Sequence, residues 1–185
     1  MTGRLCSLLT YFSYFIIYSF FGFILETLFA LITVGQLQSR KCFLFNLLCP
    51  VYGLGAIAIL LSTEPFKQNK PLTFLIGMAA ATLVEYVTDY VYKNVLGTSF
   101  WDYSHLPLNV NGRVCLLFSF FWGLLSLALV YVIHPFISKY SARIPNGVIL
   151  FVMIFFTIDA VLSVVLLNKY NTKNALNLSW LLAKR

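Results

Sequence analysis

The sequence has few charged residues for its length. Only 10% of its 185 residues are Asp, Glu, Lys or Arg, whereas 60% are hydrophobic. Soluble domains carry about 25% charged and about 45–50% apolar residues, so this chain has too few polar groups to cover a soluble surface. Together with a mean hydropathy of +0.85, this composition excludes an ordinary soluble enzyme and indicates an integral membrane protein.

Several motifs that would define a function are also missing. The four cysteines show no C-x-x-C spacing and form no pattern with the two histidines, so no metal site is expected. We expect the cysteines to pack as small hydrophobic side chains and not to form disulfides. No Walker A sequence, G-x-x-x-x-G-K-[ST], is present, so the chain cannot bind ATP through that motif. No cofactor is expected, and an enzymatic function is not favoured.

Long apolar runs predict an all-α polytopic membrane helix bundle. A membrane helix needs about 20 mostly apolar residues to cross about 30 Å of hydrocarbon. Alternating strands typical of a membrane barrel are absent. Residues 1–170 are predicted to form a single transmembrane helical domain, and residues 171–185 a polar tail that ends in a short interfacial helix. Five segments are predicted to span the membrane: 11–34, 43–61, 72–92, 114–136 and 148–167.

The second predicted span contains a proline. Pro50 removes a backbone donor and clashes with the preceding turn, so this span is predicted to be kinked. Gly53 and Gly55 allow another backbone to approach closely. In one interpretation the break shapes a binding pocket beside Asn46 and Tyr52. In the other it is a packing kink without a ligand.

The connection 97–113 is long and rich in turn residues, with the sequence GTSFWDYSHLPLNVNGR. It is predicted to fold back toward the spans as a re-entrant or interfacial segment. Asp102 and Arg113 are predicted to pair across it, while Trp101 and Tyr103 line the mouth of a cavity. The alternative is an ordinary aromatic loop at the membrane interface.

Most of the acidic residues lie where charge is costly. Of six acids, Glu26, Glu85, Asp89 and Asp159 fall inside predicted spans, and Asp102 borders one. A charge at the centre of a bilayer costs at least about 2.5–3.5 kcal/mol on insertion scales. These carboxylates are therefore predicted to face one another, a cation or water.

Residue spacing indicates that these polar groups converge. Glu85 and Asp89 are four residues apart and share one helical face, so Lys93, Arg113 or a proton is expected to compensate their repulsion. Trp122 lies on the polar face of the fourth span. The structural alternative is that the acids form buried pairs that fix helix register. The predicted substrate-binding residues are Glu26, Asn46, Tyr52, Glu85, Asp89, Trp101, Asp102, Arg113, Trp122 and Asp159.

Several motifs resemble those of one family: FGFILETL, NLLCPVYGLG, LVEYVTDYV, FWDYSHLPLNVNGRVCL and SFFWG. Together they resemble the bacterial type IV ABC-transporter family, the CmpB-like permeases, over about residues 10–165. The resemblance implies a multi-pass protein of the bacterial cytoplasmic membrane that works beside an ATPase or another membrane subunit. A permease of this size would need such a partner, or a homo-oligomer, to build a pathway.

The net charge of +7 comes from 13 basic and 6 acidic residues. Because the basic residues lie in loops and tails, lipid headgroups of the bilayer are the expected partners and nucleic acid is not. The basic tail favours a cytoplasmic C-terminus. Its basic residues are Lys169, Lys173, Lys184 and Arg185.

Three functions remain open at this point. A transport-type protein would use its acidic interior to bind a cation or a proton-coupled solute. An intramembrane enzyme would act on a lipid or lipoprotein through paired carboxylates. A scaffold or regulatory membrane protein would need the acids only for stability.

Overall fold

Apolar segments form helices in a bilayer because every backbone N–H and C=O must find a partner within the protein. The computed structural model describes residues 2–35 and 42–183; Lys184 and Arg185 of the predicted tail lie outside the described residues. The all-α bundle predicted from sequence is confirmed. Its helices are α1 (Thr2–Val34), α2 (Pro50–Thr63), α3 (Lys70–Val95), α4 (Leu116–Ala128), α5 (His134–Ser141), α6 (Asn146–Tyr170) and α7 (Leu178–Ala183).

Shorter elements connect these helices. A 3₁₀ turn, Glu64–Phe66, extends α2, and a π-helical turn, Leu129–Ile133, joins α4 to α5 in one continuous rod. A second 3₁₀ turn, Lys173–Leu176, precedes α7 in the tail. Two short strands, β1 (Asn109–Val110) and β2 (Val114–Cys115), pair antiparallel just before α4.

Within residues 2–35 and 42–183, four rods are long and apolar enough to cross a membrane: Ser7–Thr33, Lys70–Val95, Leu116–Ser141 and Asn146–Tyr170. A fifth apolar helix, Pro50–Phe66, is shorter. The outer surfaces of the rods are apolar as well. On α6, for example, Phe151 is 71% exposed and Val161 58% exposed. Such surfaces suit contact with lipid and would be costly in water, so the protein is a multi-pass membrane protein.

The bundle core lies between α1, α2, α3 and α4. It includes Tyr18, Ile59, Ala81, Trp122 and Leu129, which form one buried cluster. Tyr52 and Tyr14 pack against its edge. Since lipid tails are as apolar as these side chains, close packing and interhelical hydrogen bonds hold such a core together.

The structure corrects the predicted kink in the second span. Residues 42–49 are not helical, and α2 begins at Pro50. Proline is well tolerated in the first turn of a helix, because the N–H that it lacks would have no partner within the helix. The amide of Cys49 donates instead to the carbonyl oxygen of Ser19, midway along α1, at 3.0 Å. A Cβ atom on Gly53 would meet Ser19 Oγ, so glycine permits this close approach.

The connection between α3 and α4 folds back onto the bundle. Its two strands pair Asn109 with Cys115 and Val110 with Val114. Asn111 and Gly112 turn the chain with positive φ angles of 56° and 70°, which these two residue types adopt most readily. The fold-back brings side chains of the 97–113 segment against carboxylates of α3.

Candidate functional site

Glu85 lies on the face of α3 that points into the bundle and is 5% exposed. Its Oε1 atom accepts a hydrogen bond from the hydroxyl of Tyr103, and its Oε2 atom accepts one from Nε1 of Trp122, each at 3.0 Å. Tyr103 belongs to the folded-back connection and Trp122 to α4. Both donors are neutral, so they solvate the carboxylate without balancing its charge.

Glu26 of α1 is the second member of this group. Its Oε1 atom accepts a hydrogen bond from the hydroxyl of Tyr52, at 2.9 Å. The ring of Tyr52 contacts that of Trp122, with centroids 5.1 Å apart. We call Glu26, Tyr52, Glu85, Tyr103 and Trp122 the Glu26–Glu85 cluster. In the described part of the chain, no basic side chain lies within 4.0 Å of either carboxylate.

Asp89 follows Glu85 by one helical turn and is 2% exposed. Its Oδ2 atom lies 3.4 Å from Nε of Arg113, and its Oδ1 atom accepts a hydrogen bond from Ser99 Oγ at 2.5 Å. Arg113 is one of the three compensating groups predicted from sequence. Lys93, another of them, is exposed on α3.

Two aromatic rings of α3 fix the position of Arg113. Its guanidinium carbon lies 5.2 Å from the ring centroid of Tyr86 and 5.0 Å from that of Tyr90. Its Nη1 atom donates to the hydroxyl of Tyr86 at 3.1 Å. Such contacts between a guanidinium and aromatic faces are attractive, so Arg113 anchors the end of the folded-back connection to α3.

The predicted pairing of Asp102 with Arg113 does not occur. Asp102 is exposed, and its Oδ1 atom accepts from the backbone N–H of Ser104 at 2.9 Å. This hydrogen bond lowers the pKa of Asp102. Arg113 turns to the buried Asp89 instead, because a carboxylate without water needs a counter-charge more than an exposed one does.

The two aromatic residues of the connection have different partners. Trp101 donates through Nε1 to the carbonyl oxygen of Arg113 at 2.9 Å and packs against the 42–49 segment. It therefore braces the connection. The ring of Tyr103 stacks on Phe118, with centroids 4.7 Å apart. Burial and the neighbouring Glu85 carboxylate raise the pKa of Tyr103, so it remains a hydroxyl donor.

Asp159 of α6 has a different set of donors and is 1% exposed. Its carboxylate accepts from the backbone N–H of Phe45 at 3.1 Å and from that of Asn46 at 2.7 Å. The side-chain amide of Asn46 also donates to it, at 2.6 Å. One turn further along, Ser163 Oγ accepts from the N–H of Leu44 at 2.9 Å. We call Asp159 and Ser163 the Asp159 cap.

The 42–49 segment explains why the Asp159 cap is needed. This segment is not helical, yet it packs against the middle of α6 through Phe156 and Ala160. Backbone donors at such a depth must be satisfied by protein. The geometry of Asp159 and Asn46 is therefore that of a structural support for this segment.

The structure thus distributes nine of the ten predicted residues over three groups and leaves one apart. Glu26, Tyr52, Glu85 and Trp122 share the Glu26–Glu85 cluster, and Asp89 with Arg113 forms an ion pair beside it. Trp101 hydrogen bonds to the backbone of Arg113, and Asn46 binds Asp159. Asp102 stands apart on the surface. Sequence reasoning missed Ser99 and Tyr86 as partners of Asp89 and Arg113. It also did not predict that Tyr103 would donate to Glu85. The W-D-Y-S motif was the signal in the sequence that pointed to Tyr103.

A cavity of about 400 Å³ opens at the opposite end of the bundle. His134 contributes its imidazole ring to the wall of this cavity. The Nδ1 atom of His134 lies 2.8 Å from the hydroxyl of Tyr18, which belongs to α1. None of the ten predicted residues lines this cavity. Its lining residues are Ser7, Thr10, Tyr11, Tyr14, Leu60, Leu61, Glu64 and His134.

These observations define a multi-pass, all-α membrane protein with carboxylates buried between its helices. The chain belongs to the family described as Putative ABC-transporter type IV, whose sequence model matches residues 13–165. This match confirms the resemblance drawn from the sequence motifs and associates the protein with membrane transport. No curated protein and no solved structure matches the chain.

Proposed function

We propose that this protein is a transport-type subunit of the bacterial cytoplasmic membrane whose Glu26–Glu85 cluster binds a cation or a protonated solute. Family membership supports the transport class. One observation carries the site: the described residues around Glu26 and Glu85 supply neutral donors and no basic group within 4.0 Å.

The donors around Glu85 occupy both of its carboxylate oxygens. The indole N–H of Trp122 can only donate a hydrogen bond, and both carboxylate oxygens already accept one. A buried carboxylate without a counter-charge costs several kcal/mol. A cation near Glu26 and Glu85 would remove that cost. The cation could be a metal ion, a protonated amine or a proton shared by the carboxylates.

The folded-back connection controls access in this proposal. Tyr103 of this connection hydrogen bonds to Glu85. Ser99 hydrogen bonds to Asp89, and Arg113 forms an ion pair with it. A cation that approaches Glu85 competes with the hydroxyl of Tyr103 for the same oxygen. Binding and displacement of the connection would then be coupled, as in a gate.

A partner supplies energy and completes the pathway in this proposal. The sequence contains no Walker A motif, so the ATPase would be a separate subunit. A homo-oligomer is the alternative way to enlarge the pathway. An intramembrane enzyme is less well supported, because no hydrogen bond joins two carboxyl groups in the described part of the chain. A scaffold function is favoured only by the Asp159 cap.

The test uses the purified protein in proteoliposomes, with uptake of potassium, sodium and methylamine as probes. We expect Glu85→Gln to abolish the uptake that the wild-type protein supports. Glu64→Gln is the matched control, because Glu64 is an exposed carboxylate that pairs with Lys67 outside the cluster. The same variants are compared for thermal stabilisation by each cation in detergent, since binding does not require the partner. Equal behaviour of wild type and Glu85→Gln in both assays would contradict the proposal.

A further inference from the structure

Two cysteines lie at the ends of the irregular 42–49 segment. The Sγ atoms of Cys42 and Cys49 are 3.8 Å apart, and each residue is 5% exposed. The backbone holds the same two ends together, because the N–H of Cys42 donates to the carbonyl oxygen of Leu48 at 3.3 Å. The thiols therefore face each other in an apolar cluster that also contains Phe43 and Val51.

The local backbone at both cysteines is irregular. Neither cysteine lies within a helix, and Cys49 has an extended conformation with φ −117° and ψ 95°. A disulfide bond of about 2.0 Å requires the sulfur atoms to close a gap of about 1.8 Å from their present separation. Cys115 differs, since the structure describes no second thiol in contact with it.

We propose that Cys42 and Cys49 form a reversible disulfide that closes the 42–49 segment. This inference does not rest on the proposed transport function. The closed segment carries Asn46, which binds Asp159, and leads directly into Pro50 and Tyr52. Oxidation would therefore fix the part of the chain that delivers Tyr52 to Glu26.

The oxidant is a disulfide of a small thiol. The thiolate of one cysteine attacks this disulfide, which forms a mixed disulfide and releases one small thiol. The second cysteine then attacks the protein sulfur of the mixed disulfide and releases the second small thiol. Two protein thiols are oxidised to one disulfide, and the reagent is reduced to two thiols, so atoms and electrons balance.

The experiment treats folded protein in detergent with 4,4′-dithiodipyridine and maps the products by mass spectrometry. All variants carry Cys6→Ser, so that Cys42, Cys49 and Cys115 are the cysteines that remain. We expect the peptide that contains residues 42–49 to lose two hydrogen atoms and to retain no pyridylthio group. In Cys49→Ser, Cys42 should retain one pyridylthio group, because no second thiol can displace it. Dithiothreitol should restore both thiols.

Two results would overturn the inference. One is a pyridylthio group that remains on Cys42 or Cys49 in the protein with both cysteines. The other is two unmodified thiols in the folded protein under conditions in which the unfolded protein reacts. If Cys49→Ser does not fold, the product formed by the two-cysteine protein decides the question alone.

Discussion

Asp159 and Glu85 are both buried carboxylates on membrane-spanning helices, yet their donors differ in kind. Asp159 accepts from the side-chain amide of Asn46 and from backbone amides of the 42–49 segment, for which the described residues provide no other acceptor. Glu85 accepts from the side chains of Tyr103 and Trp122. Backbone amides are fixed by the fold, whereas a tyrosine side chain can turn away. Burial alone therefore does not distinguish a structural acid from a candidate binding group; the donors do.

The largest expected effect is on stability at Asp159. In Asp159→Ala the amides of Phe45 and Asn46 lose their acceptor, and each unsatisfied buried donor costs about 1–3 kcal/mol. We expect a reduced free energy of unfolding in mixed micelles, with a smaller loss in Asp159→Asn, which keeps one acceptor oxygen. Glu85→Gln should be much less destabilised in the same measurement. Equal losses at Asp159 and Glu85 would remove the distinction between them.

An intermediate effect is expected at Tyr103. Tyr103→Phe removes the hydrogen bond to Glu85 but keeps the ring that stacks on Phe118. We expect a loss of about 1.5–3 kcal/mol in the free energy of unfolding, as for hydrogen bonds to charged groups, together with faster cation access in flux assays. Tyr140→Phe is the control, because Tyr140 is exposed at the other end of the bundle. Slower access in Tyr103→Phe would argue against a covering role.

The smallest effect is expected at Asp102. The backbone N–H of Ser104 lowers the pKa of Asp102, so the ionised carboxylate stabilises the folded state at neutral pH. That contribution is lost as the pH falls through the lowered pKa of the folded state. Because Asp102 is exposed, Asp102→Asn should leave Tm unchanged within error at neutral pH and slightly flatten its dependence on acidic pH. A clear loss of stability at neutral pH would show a partner beyond Ser104.

The sequence was sufficient to predict the bundle and the acids within it, because apolar runs and charges are read directly from composition. It was not sufficient to predict their partners. Asn46 and Asp159 are 113 residues apart and Glu85 and Tyr103 are 18 residues apart, so their contacts depend on how the helices pack.

Pro50 shows the same limit. A kink and a helix start both accommodate its missing N–H. The choice depends on whether the preceding residues find acceptors elsewhere. Asp159 provides those acceptors, and no local pattern around Pro50 reveals that.

The start of α2 beside the middle of α1 has an electrostatic consequence. A helix carries a partial positive charge at its N-terminus, and this field is strong where no water screens it. Tyr52, in the first turn of α2, brings Glu26 within one side-chain length of that end. The N-terminus of α2 therefore places partial positive charge near the Glu26 carboxylate, in the interior of the protein.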